Sequence, residues 1–240
     1  MVENYKTENG VENHVSDIMK ERVFEPLSIQ KLANRTRAYL KIQDGCSQYC
    51  SYCIVPYARG PIRSRDPQDV IAEVKRLAEN GFKEVVLTGI HVASYGKDRR
   101  DTSLLEILRQ VHEVEGIERI RFSSIEPNVV TEEFAQAIAE MPKVCDHFHL
   151  SLQSGCDKTL KEMNRKYDTE KYRQAAAILR KYLPEVALTT DIIAGFPGET
   201  EEDFQASYDF AKEIGFAKIH AFPYSPKKGT PAAARKDQLL

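Results

Sequence analysis

Six short apolar runs alternate with amphipathic stretches along the chain, and this alternation limits its possible folds more than any other feature. Residues 38–42, 84–88, 120–124, 148–152, 186–193 and 218–222 read as strands. Helix signals fall between them. Asp66-Pro67 opens one helix, since Asp caps well and Pro fits the first helical position. Val70, Ile71, Val74 and Leu77 follow on one face, and Gly81 supplies the stop. Leu104, Leu105, Leu108 and Val111 mark a second helix, closed by Gly116. Thr131 caps a third, carrying Phe134, Ala137 and Ile138. Residues 157–182 give one or two helices, with Asp168 as an internal cap. Thr200 and Asp203 start another by capping-box logic, with Phe204, Tyr208 and Ile214 on it and Gly215 after it. Strand–helix–strand repetition of this kind predicts a parallel sheet with right-handed crossovers. Eight such units would close a barrel. Six predict an α/β fold in the form of a partial, TIM-like (β/α)6 barrel. Two short helices are also expected, one across residues 15–24 and one at 232–236.

The chain has 240 residues, enough for one barrel-like domain with a sizeable core. Its balance of 42% hydrophobic and 29% charged residues is ordinary for a soluble protein. No apolar run approaches a membrane span, and the first residues lack a signal-peptide core. A cytoplasmic protein without membrane association is expected. The formal net charge of −2 does not advertise nucleic-acid binding, although a local basic surface would escape that measure.

Three of the five cysteines, Cys46, Cys50 and Cys53, lie together as C-x3-C-x2-C after the first predicted strand. Tyr52 directly precedes the third. Such clustering fits a metal site in a reducing compartment better than a disulfide framework. Three thiolates can hold an iron–sulfur cluster with one iron left open, or a structural zinc with a distant fourth ligand, or they can be unligated. Cys145 and Cys156 bracket the fourth predicted strand outside this spacing and read as structural. Arg59, Arg63 and Arg65 follow the loop. They read either as salt-bridging groups or as contacts to an anionic substrate through their planar donor forks.

The cysteine loop with its aromatic residue resembles the signature of the radical S-adenosylmethionine (SAM) superfamily. The stretches LKIQDGCSQYCSYCIVPYARGPIRSR, LTGIHVASYG, HLSLQSG, DIIAGFPGET and FPYSPKKGTPAAAR resemble its methylthiotransferase branch. LTGIHVASYG is most similar to the threonylcarbamoyladenosine tRNA methylthiotransferases. The resemblance implies a [4Fe-4S] cluster on Cys46, Cys50 and Cys53, whose open iron chelates SAM. It implies reductive SAM cleavage with an external electron donor, tRNA as partner, and methylthiolation of C2 of N6-threonylcarbamoyladenosine. Another modified adenosine or a ribosomal-protein aspartate is the alternative substrate. It further implies that residues 1–34 connect to a preceding domain with a second cluster, that 35–240 form the radical core, and that a C-terminal RNA-binding barrel is lacking. The core alone is then expected to cleave SAM without completing methylthiolation.

In parallel α/β barrels the site lies at the C-terminal ends of the strands. The resemblance places the SAM amino group at Thr88 and Gly89; each alternative reading is a simple strand end. His91 beside them reads as structural. Glu126, after the third strand, is a candidate acceptor for an ammonium or one half of a loop salt bridge. Gln153 and Ser154 are candidates for ribose hydroxyls. Ile193, Gly195 and Phe196 suit an adenine face, and Phe222 and Tyr224 suit a second wall. Tyr52 joins the cofactor-binding set. Lys227-Lys228 stands where close relatives would be expected to carry an arginine. No catalytic side chain is assigned beyond the cluster ligands. From a different class, a non-catalytic module stabilised by zinc on three cysteines and a remote histidine is the competing reading.

Overall fold

A computed structural model of the chain describes residues 17–26 and 36–239. In order, the elements are β1 (Arg37–Asp44), α1 (Val55–Arg59), β2 (Arg63–Ser64), α2 (Pro67–Glu79) and β3 (Glu84–Gly89). Then come α3 (Leu104–His112), β4 (Arg119–Phe122), α4 (Glu132–Ala139), β5 (His147–His149), α5 (Asp157–Glu162) and α6 (Thr169–Tyr182). The chain continues with β6 (Ala187–Ala194), α7 (Glu201–Ile214) and β7 (Lys218–Pro223).

All six expected strands are present and parallel. β1, β3 and β4 pair in sequence order, as do β5, β6 and β7. Parallel bridges Ile120–Val144 and Ile125–Leu150 join the two halves. The result is a curled half-barrel, with the two-residue β2 antiparallel against the end of β1.

The predicted caps act as read. Asp66, Thr131 and Asp168 each accept a backbone N–H in the first turn of their helix. Thr200 and Asp203 exchange both bonds of a capping box. Each such cap stabilises its helix by about 1 kcal/mol. The 157–182 stretch resolves into two helices because Asp168 restarts the second.

The outer faces of the strands carry the core. Leu40, Ile42, Leu87, Ile120, Phe148 and Leu188 pack against the apolar stripes of α2, α3, α4, α6 and α7. Burying each such side chain contributes roughly 1.5–3 kcal/mol. The inner face is polar. Glu84 sits there among Arg37, Arg119 and Arg121, at 2.6, 3.1 and 2.9 Å. Burial pushes its pKa up, but the three guanidiniums more than offset that and hold it below the usual carboxylate range. Arg37, Tyr39, Thr88, Arg121 and His147 line a groove along this face.

Three local expectations are corrected. The short N-terminal helix is one 3-10 turn, Ile18–Lys20, capped by Asp17; residues 15 and 16 lie outside the described residues. The C-terminal helix is also one 3-10 turn, Ala232–Ala234, ended by extended backbone at Arg235. Ala232 is fully buried against Phe196 and Met163, so packing rather than helix propensity fixes that segment. The third correction is α1, which the sequence did not suggest. It is a five-residue turn that begins at Val55, carries Pro56 in its first turn and is capped by Gly60.

Candidate cluster and cofactor site

The cysteine loop runs from the end of β1 into α1 and is held from several sides. Cys46 N donates to Gly60 O at 3.0 Å, and Ser51 N donates to Met163 O at 2.9 Å. Ser51 Oγ donates to Glu162 O at 2.7 Å, and Asn164 Nδ2 donates to Tyr49 O at 2.8 Å. The end of α5 therefore clamps the loop, and the C-terminal turn clamps it again through Ala232 N to Ser51 O. At Gly45 the backbone takes φ +70°, and a Cβ there would overlap Pro61 O, so glycine is required at the entry to the loop.

None of the cysteines is in a disulfide. Cys50 is buried, and Cys46 and Cys53 are partly so. Burial pushes the Cys46 thiol up to about 11, and the neighbouring Cys50, Cys53 and Glu126 add to the rise. Burial also raises Cys53. Thiols held so close in a desolvated loop need a cation to ionise together.

One residue at this site carried no signal in the sequence reading. Arg165 Nη1 donates to Cys50 Sγ at 3.2 Å, while Nη2 lies 2.8 Å from Glu126 Oε1. Its Nε donates to Tyr167 Oη at 2.9 Å, and its guanidinium lies over that ring. The Arg165 side chain is 7% exposed and that of Glu126 8%. On its other side Glu126 lies 3.1 Å from His91 Nε2. Burial alone would raise the Glu126 carboxyl; His91 and Arg165 outweigh it and hold the group ionised below its usual range. Arg165 follows Asn164 at a helix end, 115 residues beyond Cys50, where spacing in the sequence is no guide.

Gln43, fully buried at the end of β1, ties the loop to β3. Its Nε2 donates to the carbonyls of Asp44 and Gly45, and its Oε1 accepts from His91 N at 2.7 Å. Gly89 lies against it: a Cβ there would sit 2.8 Å from Gln43 Oε1.

Four of the residues expected at the cofactor lie together. Tyr52, Gln153, Ile193 and Phe222 line one cleft of about 210 Å³, joined by Asp191 and Tyr224. Gln153 holds a left-handed conformation, φ 72°, which places it between strand ends: its N donates to Asp191 O and its O accepts from Ile193 N. Tyr224 Oη is shielded from solvent and has no hydrogen-bond partner. The other expected residues lie elsewhere. Thr88 faces the inner groove, Gly89 presses on Gln43, and Gly195 N donates to Glu199 Oε2. Glu126 belongs to the buried ion pair already described.

Two expectations fail on packing. Ser154 is fully buried, with its Oγ accepting from Cys156 N and 3.5 Å from Ser207 Oγ, so it does not reach the cleft. Phe196 is fully buried beside Met163 and Ala232, edge-on to Tyr224, and acts as core behind the cleft wall. Among the arginines, Arg63 directs its guanidinium to the carbonyls of Arg59 and Pro61 and to Asp44, which makes it a loop brace. Arg59 is exposed. Arg65 is 5% exposed, with Nε and Nη1 unpartnered. Cys145 and Cys156 stay apart from the loop, and Cys156 Sγ contacts Asp203 at 3.4 Å.

Comparison with known proteins agrees with this geometry. Residues 40–211 match the family model described as the radical SAM superfamily. The chain is 46% identical, over 99% of its length, to a threonylcarbamoyladenosine tRNA methylthiotransferase of Bacillus subtilis, and covers 53% of that protein. It is 45% identical, over 94% of its length, to a tRNA-2-methylthio-N(6)-dimethylallyladenosine synthase of Thermoanaerobacter pseudethanolicus, covering 48% of it. The chain thus spans about half the length of the curated relatives it matches. In fold it is similar to a radical SAM methyltransferase of Kitasatospora setae solved with cobalamin and a [4Fe-4S] cluster. There the TM-score is 0.67 at 18% identity, over 81% of this chain and 35% of that one. A half-barrel with its cysteine loop at the C-terminal end of β1, and a family match across most of the strands, place this chain in the radical SAM superfamily.

Proposed function

We propose that this chain is the catalytic core of a tRNA methylthiotransferase acting on C2 of N6-threonylcarbamoyladenosine. The observation that carries the reading is the cysteine loop: three close, unpaired, desolvated thiols beside a cleft that four expected cofactor residues line. Cys46, Cys50 and Cys53 would hold a [4Fe-4S] cluster and leave one iron for SAM. When bound and reduced, such a cluster supplies the electron that splits the SAM sulfonium.

The chain's own residues provide the setting. Arg165 places a fixed positive charge against Cys50 and is itself held by Glu126. Gln43 fixes the loop relative to the end of β3. Tyr52, Ile193 and Phe222 offer flat apolar surface for an adenine, and Gln153 and the unpartnered Tyr224 hydroxyl offer polar contacts. The apolar wall also keeps water from the reacting bond.

Two substrate readings compete, because relatives named for threonylcarbamoyladenosine and for dimethylallyladenosine are almost equally similar. The relative named for threonylcarbamoyladenosine matches over more of this chain, 99% against 94%, which favours the first. In this reading residues 1–34 are the connector to a preceding domain, and tRNA and an electron donor are the partners. The test is to assay the full-length protein, reduced and with SAM, on tRNAs carrying one or the other base. Methylthiolation confined to the threonylcarbamoyl base supports the reading, and methylthiolation confined to the dimethylallyl base overturns it.

A further inference from the structure

Away from the cysteine loop, the inner face carries a second set of metal-ligating side chains. His149 on β5, Asp191 on β6 and His220 on β7 stand on three adjacent parallel strands, and Asp191 pairs in register with His220. Their ligand atoms all lie within 4.8 Å of one another. Asp191 bridges the two imidazoles: Oδ2 lies 3.2 Å from His149 Nε2, and Oδ1 is hydrogen-bonded to His220 Nδ1 at 3.2 Å, a contact that a bound ion would replace. The two rings stack at 5.9 Å and 19°, so both present an edge to the same carboxylate.

Three features leave the set open to a metal ion. First, His149 Nε2 is shielded from solvent yet has no aligned hydrogen bond, even with Asp191 so near. A separation of about 3.0–3.4 Å between atoms that do not point at each other is what two ligands of one metal ion show at lengths near 2.1 Å. Second, the far side of that ring is already fixed. His149 Nδ1 lies 3.1 Å from Thr189 Oγ1, which in turn lies 3.3 Å from His147 Nε2. Such an outer partner sets the tautomer and aims Nε2 inward. Third, Asp191 has no arginine or lysine partner among the described residues. The other inner carboxylates do: Glu84 has three arginines, Asp44 has Lys41 and Arg63, and Glu126 has Arg165. A carboxylate between two imidazoles, with no cation of its own, attracts one.

We infer that His149, Asp191 and His220 form a binding site for one divalent transition-metal ion, with its remaining coordination positions open to the barrel interior. Two nitrogens and a carboxylate suit zinc, iron or cobalt and select against calcium and magnesium, which take oxygen ligands. Asp191 also lines the cleft beside Tyr52 and Phe222, so an oxygen or sulfur ligand on the ion would lie next to whatever that cleft holds. The site does not depend on the proposed function, and its test needs no turnover.

The cysteine loop would also bind such ions, so the probe must separate the two sites. Cobalt(II) does so, because thiolate ligation gives an intense near-ultraviolet charge-transfer band that nitrogen–oxygen ligation lacks. The protein with its cluster reconstituted, freed of loose metal by a chelator, is titrated with cobalt(II). The expected result is about one cobalt per chain with weak visible bands and no thiolate band, and a dissociation constant weakened at least tenfold by His149→Ala or His220→Ala. Thr189→Val, which removes only the outer partner, is expected to weaken binding less. Circular dichroism and cluster iron content identify any variant that fails to fold, and Asp191→Asn serves as the conservative replacement. Binding equally tight in all variants, or none at micromolar cobalt, overturns the assignment.

Discussion

Arg165 and Cys50 lie 115 residues apart in sequence, yet the guanidinium donates to the thiol sulfur at 3.2 Å. The same guanidinium is locked to Glu126, so the charge beside the sulfur cannot swing away. Replacing Arg165 with Leu strands Glu126 in a buried site with only His91 beside it. We expect a loss of about 3 kcal/mol in folding stability. Arg165→Lys keeps the charge but not the fork, and should retain more of that stability. With a cluster in place, removing this positive charge should make reduction harder, so the potential of Arg165→Lys should lie between those of wild type and Arg165→Leu. Spectroelectrochemical titration measures the order, and equal potentials would show that Arg165 does not act on the cluster.

Metal uptake at the loop should depend on pH. Cys46 is held up to about 11 and Cys53 is also raised, so both are protonated near neutrality. Ligation must expel those protons. Apparent affinity for cobalt, read from its thiolate band, should therefore strengthen from about pH 7 to about pH 8.5 and continue to rise toward the Cys46 value. The metal-free fold should respond in the opposite sense. A thiol raised on folding contributes stability that is complete below the unfolded-state pKa of about 8.5 and is lost as pH climbs through the folded value. Urea unfolding of metal-free protein across that window checks the sign; stability that increases with alkalinity would contradict it.

Gly89→Ala presses a methyl group onto Gln43, whose side chain holds the loop carbonyls. A cost of about 1–3 kcal/mol is expected, with a lower yield of reconstituted cluster. Gln43→Ala in the same background removes only the Oε1 contact, because Gln43 Cβ and the Gln43 carbonyl oxygen also stand 2.9 Å from the added methyl, so it should restore little stability and no cluster yield. Thermal unfolding and iron content, measured together, separate the two effects.

Phe222 is half-exposed on the cleft wall, so Phe222→Ala should leave the melting temperature nearly unchanged. It should weaken SAM binding by several-fold to about tenfold, the range for losing one aromatic contact. Equilibrium dialysis with reconstituted protein tests this. Unaltered affinity would remove Phe222 from the cofactor site.

Local rules carried the strands and helices a long way. Asp66, Thr131, Asp168 and Thr200 are caps whose signal lies within four residues, and each sits where the sequence placed it. The cleft was partly legible, because Gln153 follows β5, Ile193 and Phe222 stand near the C-terminal ends of β6 and β7, and strand ends converge in a half-barrel. What stayed hidden depends on distant packing. Ser154 and Phe196 look like cleft residues until α7 and the C-terminal turn bury them. Arg165 looks like an ordinary residue after a helix until the loop folds onto it. His149, Asp191 and His220 have unremarkable spacing, and only strand register gathers them.

The central claim is that Cys46, Cys50 and Cys53 hold a cluster with one iron open to SAM. Anaerobic reconstitution of the chain with iron and sulfide, followed by dithionite and SAM, tests it through 5′-deoxyadenosine formation. The account predicts about four irons and four sulfides per chain. It also predicts 5′-deoxyadenosine that appears only with reductant and disappears when any one of the three cysteines is replaced by alanine. One zinc per chain, with no iron uptake and no 5′-deoxyadenosine, would contradict it.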